Sequence, residues 1–206
     1  MQLVAAVMTV ALGGCSVPGL WSFEPAGSQA TSGASAKLDP AAYADSIWAS
    51  KVVPTISDKG VDASTLVPAI AKDAAGAAKT YGIASTSGGA PTYMVKGSGK
   101  VTKIDTSDPH GPVSVDLGDG LMVKIVTGPV ITGTALRDAM GISFGEFANQ
   151  IEYQTVGTAL NNKSKTEVIA KIDLQSLVGK SLAFEGAFSA SLVDQILIVP
   201  TKLTVS

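Results

Sequence analysis

Gly141-Ile142-Ser143-Phe144-Gly145 has the G-x-S-x-G spacing that lifts a serine hydroxyl onto a sharp turn in many hydrolases. Such a serine needs an imidazole to take its proton. The chain's single histidine, His110, precedes the serine within a Pro/Gly turn, whereas hydrolases of this type place it after. No hydrolase, and no other enzyme, is therefore expected. Gly97-Ser98-Gly99-Lys100 lacks the frame and the following helix of a phosphate-binding loop. One histidine and one cysteine do not make a zinc site. Asp105, Asp108, Asp116 and Asp119 could gather near one end of a barrel around calcium, but solvated turns explain them more simply. No metal and no cofactor are expected.

A second group is more informative. Arg137, Asp138, Asn149, Gln150 and Glu152 crowd charged and amide side chains into sixteen residues. An arginine fork and amides offer several directed donors and acceptors, which suits a hydroxyl-rich ligand or a protein partner. The structural alternative is that Arg137 pairs with Asp138 or Glu152 and caps a helix. Both readings stay open at this point.

Cys15 is the only cysteine, so no disulfide is available to it within the chain. It follows an apolar run, Leu3 to Leu12, broken only by Thr9. Ten helical residues cover about 15 Å, roughly half a bilayer core, which is the length of a signal-peptide core and too short to span. Leu12-Gly13-Gly14-Cys15 resembles the bacterial lipobox, where small residues admit the backbone to a peptidase and the cysteine sulfur accepts a diacylglyceryl group. Residues 1–14 are read as a lipoprotein signal peptide and Cys15 as the lipidation site. Met1-Gln2 supply no Lys or Arg ahead of the run, a departure that leaves the true start codon open. Several acyl chains, each methylene contributing about 0.8 kcal/mol, hold a protein at a bilayer durably. Ser16 rather than Asp after the cysteine slightly favours the outer over the inner membrane. Residues 15–37 are read as the lipidated cysteine and a Ser/Gly/Ala/Pro-rich tether, with Trp21 and Phe23 its only aromatic side chains.

These groups need a scaffold. The 206 residues suit one ordinary domain with a small extension, and 46% apolar residues with only 5% aromatic ones make a core of Val, Ile, Leu and Ala. Fifteen Lys and Arg against 17 Asp and Glu give a net charge of −2, with no footprint for nucleic acid and no polybasic membrane patch. Residues 38–83 read as a helical segment. Asp39 and Pro40 open a helix carrying Tyr43, Ile47, Trp48 and Val52, which Pro54 interrupts. A second helix is expected from Ser64 to Tyr81, with Leu66, Val67, Ile70, Ala71, Ala74 and Ala78 on one face and Gly82 at its end.

From residue 92 the period becomes two. Tyr93, Val95 and Val101 alternate, with Gly97 and Gly99 between them where the strand must bend. Val113-Val115-Leu117 and Leu121-Val123-Ile125 flank Gly118-Asp119-Gly120 as a hairpin. Leu182 to Phe188 form a fourth strand, and Gln195 to Val205 a fifth with Pro200 at an edge or bulge. A helix starting near Ser143, with Glu146 in capping-box spacing, falls between the third and fourth. That order is an OB-like five-stranded barrel over residues 92–206, and the class is α+β.

Gly128 to Asp138, Ile142 to Tyr153 and Tyr43-Ala44-Asp45-Ser46-Ile47-Trp48 together resemble an uncharacterised family of predicted periplasmic lipoproteins. The resemblance covers most of the chain from Leu38. The family's motif is carried at Gly133, Thr134, Arg137, Asp138, Asn149, Gln150 and Glu152. Members often accompany sugar ABC-uptake genes. The resemblance therefore implies a periplasm-facing accessory binding protein, with a transporter component or a sugar-like ligand as partner. Its rival is a structural or assembly protein of the envelope that acts through protein contacts.

Overall fold

The computed structural model describes residues 39–85, 89–190, 194 and 196–206. The leader, Cys15 and the tether lie outside the described residues. Asp39 caps helix α1 (Pro40–Ile47) by accepting the Ala41 N–H at 3.0 Å. Pro54 interrupts the regular α-helical pattern without ending the helical path. A proline lacks an N–H and crowds the carbonyl four residues back. A π turn over Trp48–Val52, closed by the Val53 N–H on the Trp48 carbonyl, makes room for it, and α2 (Val53–Lys59) continues.

The expected helix from Ser64 to Tyr81 is two helices, α3 (Ala63–Lys72) and α4 (Ala74–Tyr81). Asp73 breaks it because its carboxylate caps α4, accepting the Gly76 N–H at 3.0 Å. Leu66, Val67 and Ile70 of α3 are buried while Ala71 is exposed, and beyond the break α4 buries Ala77 rather than Ala74 or Ala78. Ahead of α3, the two-residue strand β1 (Val61–Asp62) lies parallel to β2.

The sheet continues with β2 (Thr92–Ile104), β3 (Val113–Gly118), β4 (Leu121–Ile125), β5 (Ser181–Ser189) and β6 (Val199–Val205). Its order is β4-β3-β2-β5-β6, antiparallel throughout, with β1 added on β2. Asp119 and Gly120, both at positive φ (51° and 77°), turn the β3–β4 hairpin as its composition predicts. Gly99 is required where β2 bends over β3, since a Cβ there would lie 2.1 Å from the Asp116 carbonyl oxygen.

The expected closed barrel is instead an open six-stranded sheet. Ile125 of β4 and Ile198, just ahead of β6, form one parallel bridge. Two backbone bonds make it: Val126 N–H to the Ile198 carbonyl and Ile198 N–H to the Lys124 carbonyl, each 2.9 Å. Pairing stops there because β4 ends at Ile125, and because Pro200 has no N–H and sits at a register shift of β6.

Between β4 and β5 the chain forms α5 (Ala135–Ala139), a 3-10 turn over Phe144–Glu146 and α6 (Gln150–Glu167). One face of the sheet buries Tyr93, Val95, Phe184 and Phe188 with Leu66 and Ile70 of α3, and the Tyr93 and Phe188 rings stack at 5.2 Å. Met94, Ala187 and Val199, one residue out of phase, pack against Trp48, Ile56, Leu136, Val156 and Leu160. Residues 38–83 and 92–206 thus share their cores. No helix among the described residues is long and apolar enough to cross a membrane.

Candidate functional site

Arg137 lies on α5 with only 3% of its surface exposed, so its charge must be answered within the protein. Asp138 answers it. Its Oδ1 accepts from the guanidinium Nε at 2.9 Å and Nη2 at 2.8 Å. Nη1 donates to the Tyr153 carbonyl at 3.3 Å, and the guanidinium stacks 3.8 Å above the Tyr153 ring. The second Asp138 oxygen accepts the Thr134 hydroxyl at 2.7 Å. Of the two carboxylates open to Arg137 in the sequence, the structure selects Asp138.

Glu152 has a different task. Its backbone N–H donates to Asn149 Oδ1 at 2.9 Å, and its carboxylate accepts the Ala148 N–H at 3.3 Å. Asn149 and Glu152 therefore cap α6, which starts at Gln150 rather than near Ser143. The Ser143/Glu146 spacing yields one 3-10 turn, held by the Ser143 N–H on Glu146 Oε1 at 2.9 Å.

Gln150 opens toward Arg137. With Gln154 and Thr158 it recurs every four residues on one face of α6, opposite Thr134 and Arg137, and Tyr153 lies between. The groove so formed has a volume of about 410 Å³. Its walls are close because Gly157 faces Thr134, where a Cβ would approach Thr134 Cγ2 to 3.1 Å. One turn on, the Asn161 amide donates to the carbonyls of Gly133 at 3.0 Å and Ile131 at 3.4 Å, pinning that turn to α6. Asn161 Oδ1 is buried and has no hydrogen-bond partner among the described residues.

The other candidates are committed elsewhere. His110 Nδ1 meets Asp108 at 2.9 Å and Nε2 meets the Thr132 hydroxyl at 3.2 Å, while Ser143 is held by Glu146. The His110 backbone and ring hydrogen bonds hold the Asp108 carboxyl below its usual range. Hydrogen bonds from Ser107 and Lys103 lower Asp105 to about 2. Asp116 accepts the Gly118 N–H at 2.9 Å. Among the described residues no three His, Cys, Asp or Glu side chains converge as metal ligands would.

A family model described as "Predicted periplasmic lipoprotein (DUF2291)" matches residues 5–204. The chain belongs to that family. No curated protein matches this periplasmic-lipoprotein family member. Among solved structures it is similar to an OB-fold protein from Thermotoga maritima, at 21% identity and a TM-score of 0.69. The match covers 82% of this chain and 99% of that one, and at that identity it shows the fold alone. The family match takes in both Cys15, which lies outside the described residues, and the α5–α6 groove.

For this predicted lipoprotein, the structure brings together Arg137, Asp138 and Gln150 of the expected site and assigns Asn149 and Glu152 to a helix cap. The sequence reading named Thr134 only as part of the family's motif and missed Gln154 and Thr158; the groove is lined by all three. The polar four-residue repeat Gln150-Gln154-Thr158 was the signal that could have found two of them.

Proposed function

We propose that this lipoprotein is a non-catalytic accessory binding protein of the bacterial envelope, moored through lipid on Cys15, that serves solute uptake. Its ligand is a neutral, hydroxyl-rich solute of sugar type, held in the groove between α5 and α6. A transporter component is its partner, and Ser16 after the cysteine favours the outer membrane. The lining of the groove carries the reading: two glutamines and two threonines surround an arginine whose charge Asp138 already neutralises. Amides and hydroxyls both donate and accept, which matches sugar hydroxyls, whereas an anion gains little from a neutralised guanidinium.

Thermal-shift measurement against neutral monosaccharides tests this. A ligand at one hundred times its Kd stabilises by about 2.7 kcal/mol, enough to raise Tm by several degrees. Gln150→Ala and Gln154→Ala, both exposed positions, should abolish the shift while leaving the unliganded Tm unchanged. A panel of sugars without effect on Tm would remove the solute reading.

A second reading, envelope assembly through protein contacts, is favoured by Ile151 and Phe144, which are 77% and 48% exposed at the start of α6 and in the turn before it. Crosslinking in membranes separates the two. A stable complex that forms without sugar and is lost in Ile151→Ser supports assembly.

A further inference from the structure

We propose a second binding site, for a zwitterion, on the outer face of β1, β2, β5 and β6, separate from the α6 groove. Strand register places Asp62 beside Lys96, Lys96 beside Glu185 and Glu185 beside Lys202. Four charges of alternating sign thus cross four neighbouring strands in one row, spaced by about 4.8 Å per strand. The adjacent row is Ser98, Ala183 and Thr204, again in register, and all three are small. The step from long charged side chains to short ones forms a basin of about 360 Å³ lined by both rows.

An ordinary charge ladder would pair all four groups with one another, and this row pairs only two of them. Lys96 Nζ donates to the Ser57 carbonyl at 3.0 Å and makes no ion pair with either acidic neighbour. The Ser57 hydroxyl in turn donates to Glu185 Oε2. Asp62 Oδ1 caps α3, accepting the Ser64 N–H at 2.8 Å. Only Glu185 and Lys202 touch, at 3.4 Å. The end of α2 therefore anchors Lys96 and Glu185, and all four charged residues line the basin.

Alternating signs with no net charge favour a ligand that carries both signs close together. An α-amino acid bears its ammonium and carboxylate on a single carbon, within one strand spacing of each other. Its carboxylate would meet a lysine and its ammonium the neighbouring carboxylate, and the small second row would receive the side chain. A singly charged ion satisfies half of the row and strands the rest.

Backbone amide NMR of the full chain, titrated with L-alanine, acetate and ethylammonium, tests the site. L-alanine is expected to move the Ser98, Ala183 and Thr204 resonances, with weaker effects from either ion. Lys202→Gln should weaken L-alanine binding about tenfold, the loss of one charged hydrogen bond. Ala183 is exposed, so Ala183→Trp should fold normally and abolish binding by filling the basin. Three results overturn the proposal: no response of these amides to L-alanine, acetate or ethylammonium binding as tightly as L-alanine, or binding that survives Ala183→Trp. Gln154→Ala should leave L-alanine binding intact, so failure here and failure of the sugar groove are read on different variants.

Discussion

Inside the sheet, Tyr93, Phe184 and Phe188 pack with Val95, Val115 and Ile125, and among the described residues the only buried charges, Arg137 and Asp138, lie on the other face. On the opposite face, where α1, α2, α5 and α6 settle, Arg137, Asp138, Asn161 and Ser164 are buried beside Leu136, Val156 and Leu160. The first region gains from removing apolar surface from water, and it tolerates little change of volume. The second depends on every polar group finding its partner, and its stability is conditional in a way the first is not.

The largest effects should come from cutting each region at its centre. Phe184→Ala is expected to cost about 3–5 kcal/mol by leaving a cavity. Asp138→Ala should cost a similar 3–5 kcal/mol for an unrelated reason, an arginine left buried without its counter-ion. Either variant should lower Tm by roughly 10 °C. The regions part company in the double variant Arg137→Met/Asp138→Leu, which should return to near-native Tm because no charge remains to strand. If the double variant is as unstable as Asp138→Ala alone, the contrast between the regions fails.

Smaller changes sharpen the contrast. Ser164 donates its hydroxyl to the Pro200 carbonyl, tying α6 to β6, and Ser164→Ala should cost about 1–3 kcal/mol in chemical denaturation. Asn149→Ala removes the cap of α6 and should cost about 1 kcal/mol, read by the same method. The smallest effect is electrostatic. Lys163 bridges Asp45 of α1 at 3.0 Å and Glu167 at 3.3 Å, and hydrogen bonds from Lys171 and Lys163 lower the Glu167 carboxyl. A lowered carboxyl stabilises above its ordinary value of 4.5 and loses that contribution as pH falls through the lowered one. Tm should be flat from neutral pH to about 5 and fall gently below that, and less so in Glu167→Gln.

The same contrast explains what could be read from the chain. Alternation placed β2 through β6 and much of the apolar core, because a half-buried strand writes its two faces into consecutive residues. Asp39 and the Asp119-Gly120 turn were legible because caps and turns are local. The partner of Arg137 was not, since two carboxylates stood within reach and only the packing of α5 against α6 shows that Asp138 answers the guanidinium while Glu152 stays with its own helix cap. The break at Asp73 was hidden by an alanine-rich sequence that suits a continuous helix equally well. Strand β1 is two residues long and carries no period, so the charged row that starts at Asp62 exists only once register is known.

The bridge between Ile125 and Ile198 clasps the two edges of the open sheet at one point. Edges held at a single point part there first, so the amides of Val126 and Ile198 should take up deuterium sooner than those in the middle of β2 and β5. The chain leaving that clasp runs by way of Thr127 and Gly133 to Thr134 on the rim of the α6 groove. Parting the two edges would therefore loosen one wall of the groove, and a molecule seated against that wall would hold them together.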